Sequence, residues 1–301
     1  MGLKDTKMIE KKRKIIDVHA HAEWGGYNLK KTIENMDAYG ITKACLLSCE
    51  IPLSENNPDG NSGYTSHIYG YDNILPFAHV LEYTKQAPDR FIMGYAPDPR
   101  NPAAIDMLEA AIETYGVKMY GEWKYRMMVD NPDTIKMFQF CGEKKLPVTI
   151  HLQDNLRELN QKYPRSSYWY GGNIDTLERA LQLCGETIFI GHAMAFWSQI
   201  SKDREAYTEY YPEGPVIPGG RLQELLIKYP NLYCDMSAGS GLLSLQRDIN
   251  YTIEFFDEFQ DRLLFGRDTF DNKLQEFINS LNLSDQILDK VYAGNIEKLL
   301  M

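Results

Sequence analysis

Along the chain, short runs of β-branched and other apolar residues alternate with longer stretches whose apolar positions recur at threes and fours. The short runs cover residues 14–21, 42–48, 91–96, 117–123, 147–152, 187–192, 232–235 and 262–268, and they predict eight strands. Helical periodicity fills the intervals, for example over 101–115, 132–145 and 175–184. Ile105, Leu108, Ala111 and Ile112 form one apolar stripe of this kind. Gly116 and Gly185 mark turns before the fourth and sixth strands, and Asn101-Pro102 and Asn131-Pro132 suit helix starts. Eight strand–helix units in 301 residues predict an α/β fold, a single closed (β/α)8 TIM-like barrel. The competing open, doubly wound sheet calls for a glycine-rich turn after its first strand. Here that position reads Asp17-Val18-His19-Ala20-His21. The expected organisation is therefore a polar lead-in over 1–13 and one barrel domain over 14–301.

Composition narrows the class without changing the fold. Hydrophobic residues make up 44% and charged residues 25%, which excludes a disordered chain, a fibrous repeat or a disulfide-stapled miniprotein. A formal charge of −10 repels phosphate backbones and anionic lipid, so neither nucleic acid nor a membrane surface is an expected partner. No run of eighteen apolar residues occurs, and no apolar segment follows the basic stretch at Lys11, Lys12, Arg13 and Lys14. The five cysteines, Cys45, Cys49, Cys141, Cys184 and Cys234, are odd in number and sit mostly in apolar stretches. They read as free thiols in a reducing compartment, and a cytoplasmic location is expected.

The chemistry lies in the histidines. Of six in the chain, four (His19, His21, His151 and His192) end predicted strands, and Asp268 ends the eighth. In a barrel, strand ends at the C-terminal face build the active site. His19 and His21 are two apart on one strand and point the same way. Three imidazoles and a carboxylate make an N3O donor set that suits zinc best among divalent ions.

With those residues in view, the chain resembles the amidohydrolase superfamily. The resemblance rests on Ile16-Asp17-Val18-His19-Ala20-His21, Pro147-Val148-Thr149-Ile150-His151, Ile190-Gly191-His192 and Leu264-Phe265-Gly266-Arg267-Asp268. Asp89-Arg90-Phe91-Ile92 and Ala293-Gly294-Asn295-Ile296 are similar to stretches of its amidohydrolase-related branch of lactonases, hydratases and decarboxylases. The resemblance implies that His19, His21, His151 and Asp268 hold a metal and that His192, with Asp268, serves as acid and base. Arg267 stands where the family usually has serine. Binuclear members bridge two ions with a lysine or glutamate from the fourth strand, which makes Glu122, and more weakly Lys118, a further candidate ligand. One ion is expected rather than two.

The activity so implied is metal-dependent hydrolysis of a small amide, lactone or ester by an activated water. The alternatives are a metal-dependent decarboxylase or hydratase of the same branch, a TatD-like phosphoesterase, or a metal-binding protein without catalysis. Trp24, Trp123, Trp169 and Trp197 follow predicted strand ends and suit an aromatic pocket mouth. Arg165, Arg267 and Lys124 are candidates for holding a substrate carboxylate. His67 and His79 read as structural, and residues 207–220 as an ordered loop over the same face. The expected partner is a small-molecule substrate, with a homodimer as the expected assembly.

Overall fold

The structure, a computed structural model, describes residues 13–50, 75–154, 169–203 and 209–301. Its strands are β1 (Ile16–Ala20), β2 (Lys43–Leu47), β3 (Phe91–Gly94), β4 (Tyr120–Trp123), β5 (Val148–His151), β6 (Phe189–His192), β7 (Leu232–Asp235) and β8 (Leu263–Leu264). All pair in parallel and in chain order, as β1-β2-β3 and β4-β5-β6-β7-β8. Gly94 and Met119 bridge the seam between β3 and β4. Across the other seam Val18 N donates to Phe265 O, and Asp268 N to His19 O, both at 2.9 Å. The result is an α/β barrel.

Helices follow the strands in the order expected of such a barrel. They are α1 (Leu29–Ala38), α2 (Phe77–Gln86), α3 (Ala104–Tyr115), α4 (Pro132–Glu143), α5 (Ile174–Leu183), α6 (Met194–Trp197), α7 (Arg221–Lys228), α8 (Ala238–Gln246), α9 (Ile249–Phe259), α10 (Lys273–Ser280), α11 (Asp285–Asp289) and α12 (Asn295–Leu299). Among the described residues no helix is long and apolar enough to cross a membrane. Asn131 caps α4 by accepting from Asp133 N, with Pro132 in the first turn. Gly116 ends α3 at φ 74°, a left-handed conformation that favours glycine. The expected start of α3 at Asn101 moves to Ala104, because Asn101 Oδ1 accepts from Ala103 N and closes a turn ahead of the helix.

Two apolar layers hold the barrel. Ile16, Val18, Cys45, Leu47, Met119, Ile190 and Leu264 form a plug inside it, and a larger cluster, including Trp123, Phe138, Phe189 and Phe255, packs between strands and helices. The strands are shorter than the sequence suggests, for reasons that can be named. Asp17 places its carboxylate in the β8/β1 seam: Oδ1 accepts from His19 N at 3.1 Å and from Arg267 N at 2.9 Å. That side chain takes the Arg267 amide in place of a backbone carbonyl, just beyond Leu264 where β8 ends, while on the other edge of β1 the register with β2 shifts between Asp17 and Ala20. In β4 a register shift lies between Tyr120 and Trp123. Lys118 precedes the strand, is exposed, and lines a cleft with Lys145, Glu186 and Lys298. It stands about 13 Å of strand away from Glu122 and is no ligand of the same centre.

Candidate active site

The C-terminal ends of the strands bring His19, His21, Glu122, His151, His192, Asp235 and Asp268 to one place. The ring of His19 lies inside the barrel, with Nε2 3.2 Å from Nε2 of His21. His21 is fixed through Nδ1, 2.9 Å from Leu47 O. Asp268 Oδ1 is 3.7 Å from His19 Nε2 and 3.4 Å from His21 Nε2. Glu122 enters from β4, with Oε1 3.9 Å from His19 Nε2 and Oε2 3.6 Å from His21 Nε2. Donors sharing one ion with bonds of about 2.0–2.2 Å lie about 3–3.5 Å apart, close to these separations. Glu122 Oε2 and Asp268 Oδ1 are both buried without a hydrogen-bond partner. Orphaned carboxylate oxygens facing imidazole nitrogens are costly in a protein interior unless a cation joins them. His19, His21, Glu122 and Asp268 therefore fit a divalent metal.

His151 stands beside this group. Its Nδ1 is 2.7 Å from Glu122 Oε1, and its Nε2 is 3.2 Å from Gln153 Oε1. A second potential donor cluster, Glu122, His151 and His192, shares Glu122 with the first. His192 Nε2 lies 3.7 Å from Asp268 Oδ2. The Asp268 side chain is 11% exposed, while His19, His21 and Glu122 have none of their side-chain surface exposed. The site thus opens towards solvent at Asp268, which also adopts a left-handed φ of 52°.

The electrostatics follow from burial and close charges. Burial opposes protonation of His19, but the carboxylates of Asp268, Asp235 and Glu122 around it push its pKa up to about 10. Burial and the neighbouring His19 push His192 down to about 4, so this ring is neutral at pH 7. Burial raises the Asp268 carboxyl, but His19 and His21 outweigh it and hold it down at about 2. Glu122 falls well below the usual carboxylate range: burial works against this, and the charges of His151 and Lys124 overcome it. Burial lowers Lys124, whose Nζ lies 5.0 Å from the Tyr170 ring centroid. The centre is a set of carboxylates held ionised among imidazoles.

The aromatic mouth expected from the tryptophans is only partly present. Trp24 is half-buried with its ring 6.2 Å from that of His21. Trp123 and Trp197, expected at the substrate, are fully buried and present no surface to one. Trp123 packs edge-on against Tyr125 and Phe138, because β4 turns it towards the helices. The Trp197 indole donates to Asp235 O at 2.8 Å. Arg267 is not available as a substrate anchor either: Nε donates to Asp17 Oδ2 at 2.8 Å and Nη1 to Asn35 Oδ1 at 2.7 Å. Arg165 and His67 lie outside the described residues, as do residues 207–208 of the expected loop. His79 sits on α2 with Nδ1 3.9 Å from Glu23. Asp235, Ser237 and Gln153 are the site residues that sequence reasoning passed over. The signal for Asp235 was present, since it too ends a strand.

No protein-family model and no curated protein matches the sequence. Solved structures do. An uncharacterized TIM-barrel protein from Bordetella bronchiseptica superposes with a TM-score of 0.63 at 17% identity, covering 95% of this chain and 98% of that one. A dihydroxybenzoic acid decarboxylase from Polaromonas, with bound manganese and the inhibitor 2-nitroresorcinol, gives 0.61 at 13%, covering 96% and 97%. A candidate 2-pyrone-4,6-dicarboxylic acid hydrolase from Pseudomonas putida gives 0.59 at 15%, again covering 96% and 97%. At such identities the likeness concerns the backbone: over nearly its whole length the chain folds as the TIM barrel of these proteins.

Proposed function

We propose that the protein is a metal-dependent enzyme of the amidohydrolase type that hydrolyses a small amide, lactone or ester. The observation that carries this is the convergence of His19, His21, Glu122 and Asp268, with Glu122 Oε2 and Asp268 Oδ1 buried without a hydrogen bond, 3.4–3.6 Å from His21 Nε2. These four residues would hold one divalent ion, zinc or manganese, with His151 adjoining through Glu122. Such an ion supplies a hydroxide nucleophile near neutral pH and polarises a carbonyl oxygen. Asp268 offers Oδ1 to the histidine pair and Oδ2 to His192, so it can take the proton of the attacking water. His192, neutral at pH 7 and 3.7 Å away, can receive that proton and return it to the leaving group. The other walls exclude water, which strengthens each of these interactions. Five buried free cysteines agree with a reducing compartment, and the cytoplasm is the proposed place of action.

A second reading, non-oxidative decarboxylation, is supported by Lys124. This buried lysine stands over the Tyr170 ring and interacts electrostatically with Glu122, where a substrate carboxylate would find a positive partner. Among the structural neighbours both reactions occur by name. The test is metal analysis of the purified protein, followed by turnover on lactones and esters against aromatic carboxylates, with carbon dioxide release scored. About one ion per chain and ester or lactone turnover support hydrolysis; carbon dioxide release selects the second reading. His192→Asn is expected to keep the metal and lose at least about 100-fold in turnover. No metal after reconstitution with zinc or manganese would overturn both.

A further inference from the structure

Asp235, at the end of β7, has no place in the mechanism above, yet it is wholly buried and held from several sides. Its Oδ2 is 2.6 Å from His19 Nδ1 and 2.9 Å from the Ser237 hydroxyl. Its Oδ1 accepts from Ser237 N at 2.9 Å. Its backbone carbonyl receives the Trp197 indole N–H. Space is kept for it as well: a Cβ on Gly266 would stand 2.5 Å from Asp235 Oδ1 and 3.1 Å from Ser237 Cβ. Ser237 Oγ in turn lies 3.0 Å from His192 Nδ1.

The protons in this chain have one consistent arrangement. An ionised carboxylate only accepts, so the contact at 2.6 Å requires the proton on His19 Nδ1. The Ser237 hydroxyl has a single proton. Were it given to His192, two buried acceptors would face each other 2.9 Å apart, so it goes to Asp235. The hydroxyl lone pair then accepts from His192, which places that ring's proton on Nδ1. We infer that Asp235 is a positioning residue that fixes the tautomers of His19 and His192 together, the first directly and the second through Ser237. The Nε2 of each ring then faces Asp268, each 3.7 Å from one of its oxygens, and a bound ion would take the place of the His19 Nε2 proton. The ligand and the proton carrier are set by one carboxylate. For His19 the inference rests on the metal reading above; for His192 it stands apart from it.

Asp235→Asn has no orientation that satisfies its neighbours. With the amide nitrogen at Oδ2 it faces the His19 and Ser237 protons, and with the nitrogen at Oδ1 it faces Ser237 N–H. The test uses the full chain. His192 is followed by long-range proton–nitrogen correlation spectra of the metal-free protein at neutral pH, and zinc affinity by competition with a chromophoric chelator. The wild type is expected to carry the His192 proton on Nδ1. Ser237→Ala is expected to shift that ring towards the Nε2-protonated form while leaving zinc affinity essentially unchanged. Asp235→Asn is expected to shift the ring and to lose about 10–100-fold in zinc affinity. Wild-type His192 protonated on Nε2, a Ser237→Ala spectrum like wild type, or wild-type zinc affinity in Asp235→Asn would each overturn the inference. Should Asp235→Asn fail to fold, Ser237→Ala still decides. A wild type that binds no zinc would sink the metal reading, while the His192 spectrum would continue to judge the relay.

Discussion

At the scale of single residues, Asp17 and Arg267 show how much one side chain can determine. Asp17 is fully buried, and Arg267 answers its charge from 2.8 Å with 3% of its own side chain exposed. Arg267→Met is expected to lower stability by about 3–5 kcal/mol, because it leaves a carboxylate buried without its partner. Urea unfolding read by circular dichroism checks this. The sequence displayed Asp17 and Arg267 only as members of motifs, and Arg267 looked like a substrate anchor. Their pairing joins positions 250 residues apart, and no local pattern carries such information. The strand-end histidines were legible because a strand end is a local event. Trp123 and Trp197 misled for the same reason: sequence position places a ring near the mouth, whereas the direction of its side chain depends on packing.

At the scale of elements, helix α5 and helix α7 are joined by Glu178. It accepts from Arg221 at 2.5 Å, Lys228 at 2.8 Å and Tyr229 at 3.1 Å. These hydrogen bonds hold its pKa down at about 2, Lys228 contributing most. A depressed carboxyl pKa stabilises the fold above the unfolded value near 4.3, and that contribution disappears as pH falls towards 2. Glu178→Gln is thus expected to cost no more than about 1 kcal/mol at pH 7 and nothing near pH 2, since the group lies near the surface. Paired denaturation curves at the two pH values decide. Gly191 is the opposite case, wholly a matter of space. A Cβ there would meet the Phe196 ring at 2.2–2.6 Å. Gly191→Ala is expected to cost about 1–3 kcal/mol and to disturb His192 next to it, seen as lost stability together with lost turnover. The β/α alternation was readable because barrel strands and amphipathic helices have different periods. The end of β8 at Leu264 was not, because just beyond it a side chain stands in for a backbone carbonyl.

At the scale of the whole molecule, the barrel carries its chemistry at one end and an apolar plug beneath it. The proposed metal, held by residues at the ends of β1 and β4 and after β8, would tie together both hydrogen-bonded sheets. Ion binding to the folded state alone adds about 2.7 kcal/mol at a hundredfold excess over Kd. For a chain of this size, stripping the ion with a chelator is expected to lower the melting temperature by about 5 °C, restored by zinc or manganese. Thermal scans with and without chelator test it. An unchanged melting temperature would contradict a metal bound by the native state.

The Asp17 carboxylate in the closing seam also has a consequence in time. Closing contacts between positions 250 residues apart costs more chain entropy than pairing neighbouring strand–helix units, so these contacts are expected to form late. Interactions absent from the folding transition state leave the folding rate alone and govern the rate of opening. Loss of the Asp17–Arg267 pair is therefore expected to appear almost wholly as faster unfolding. On this expectation the seam sets how long the barrel stays shut, and measured refolding rates should be the same with and without the Asp17–Arg267 pair.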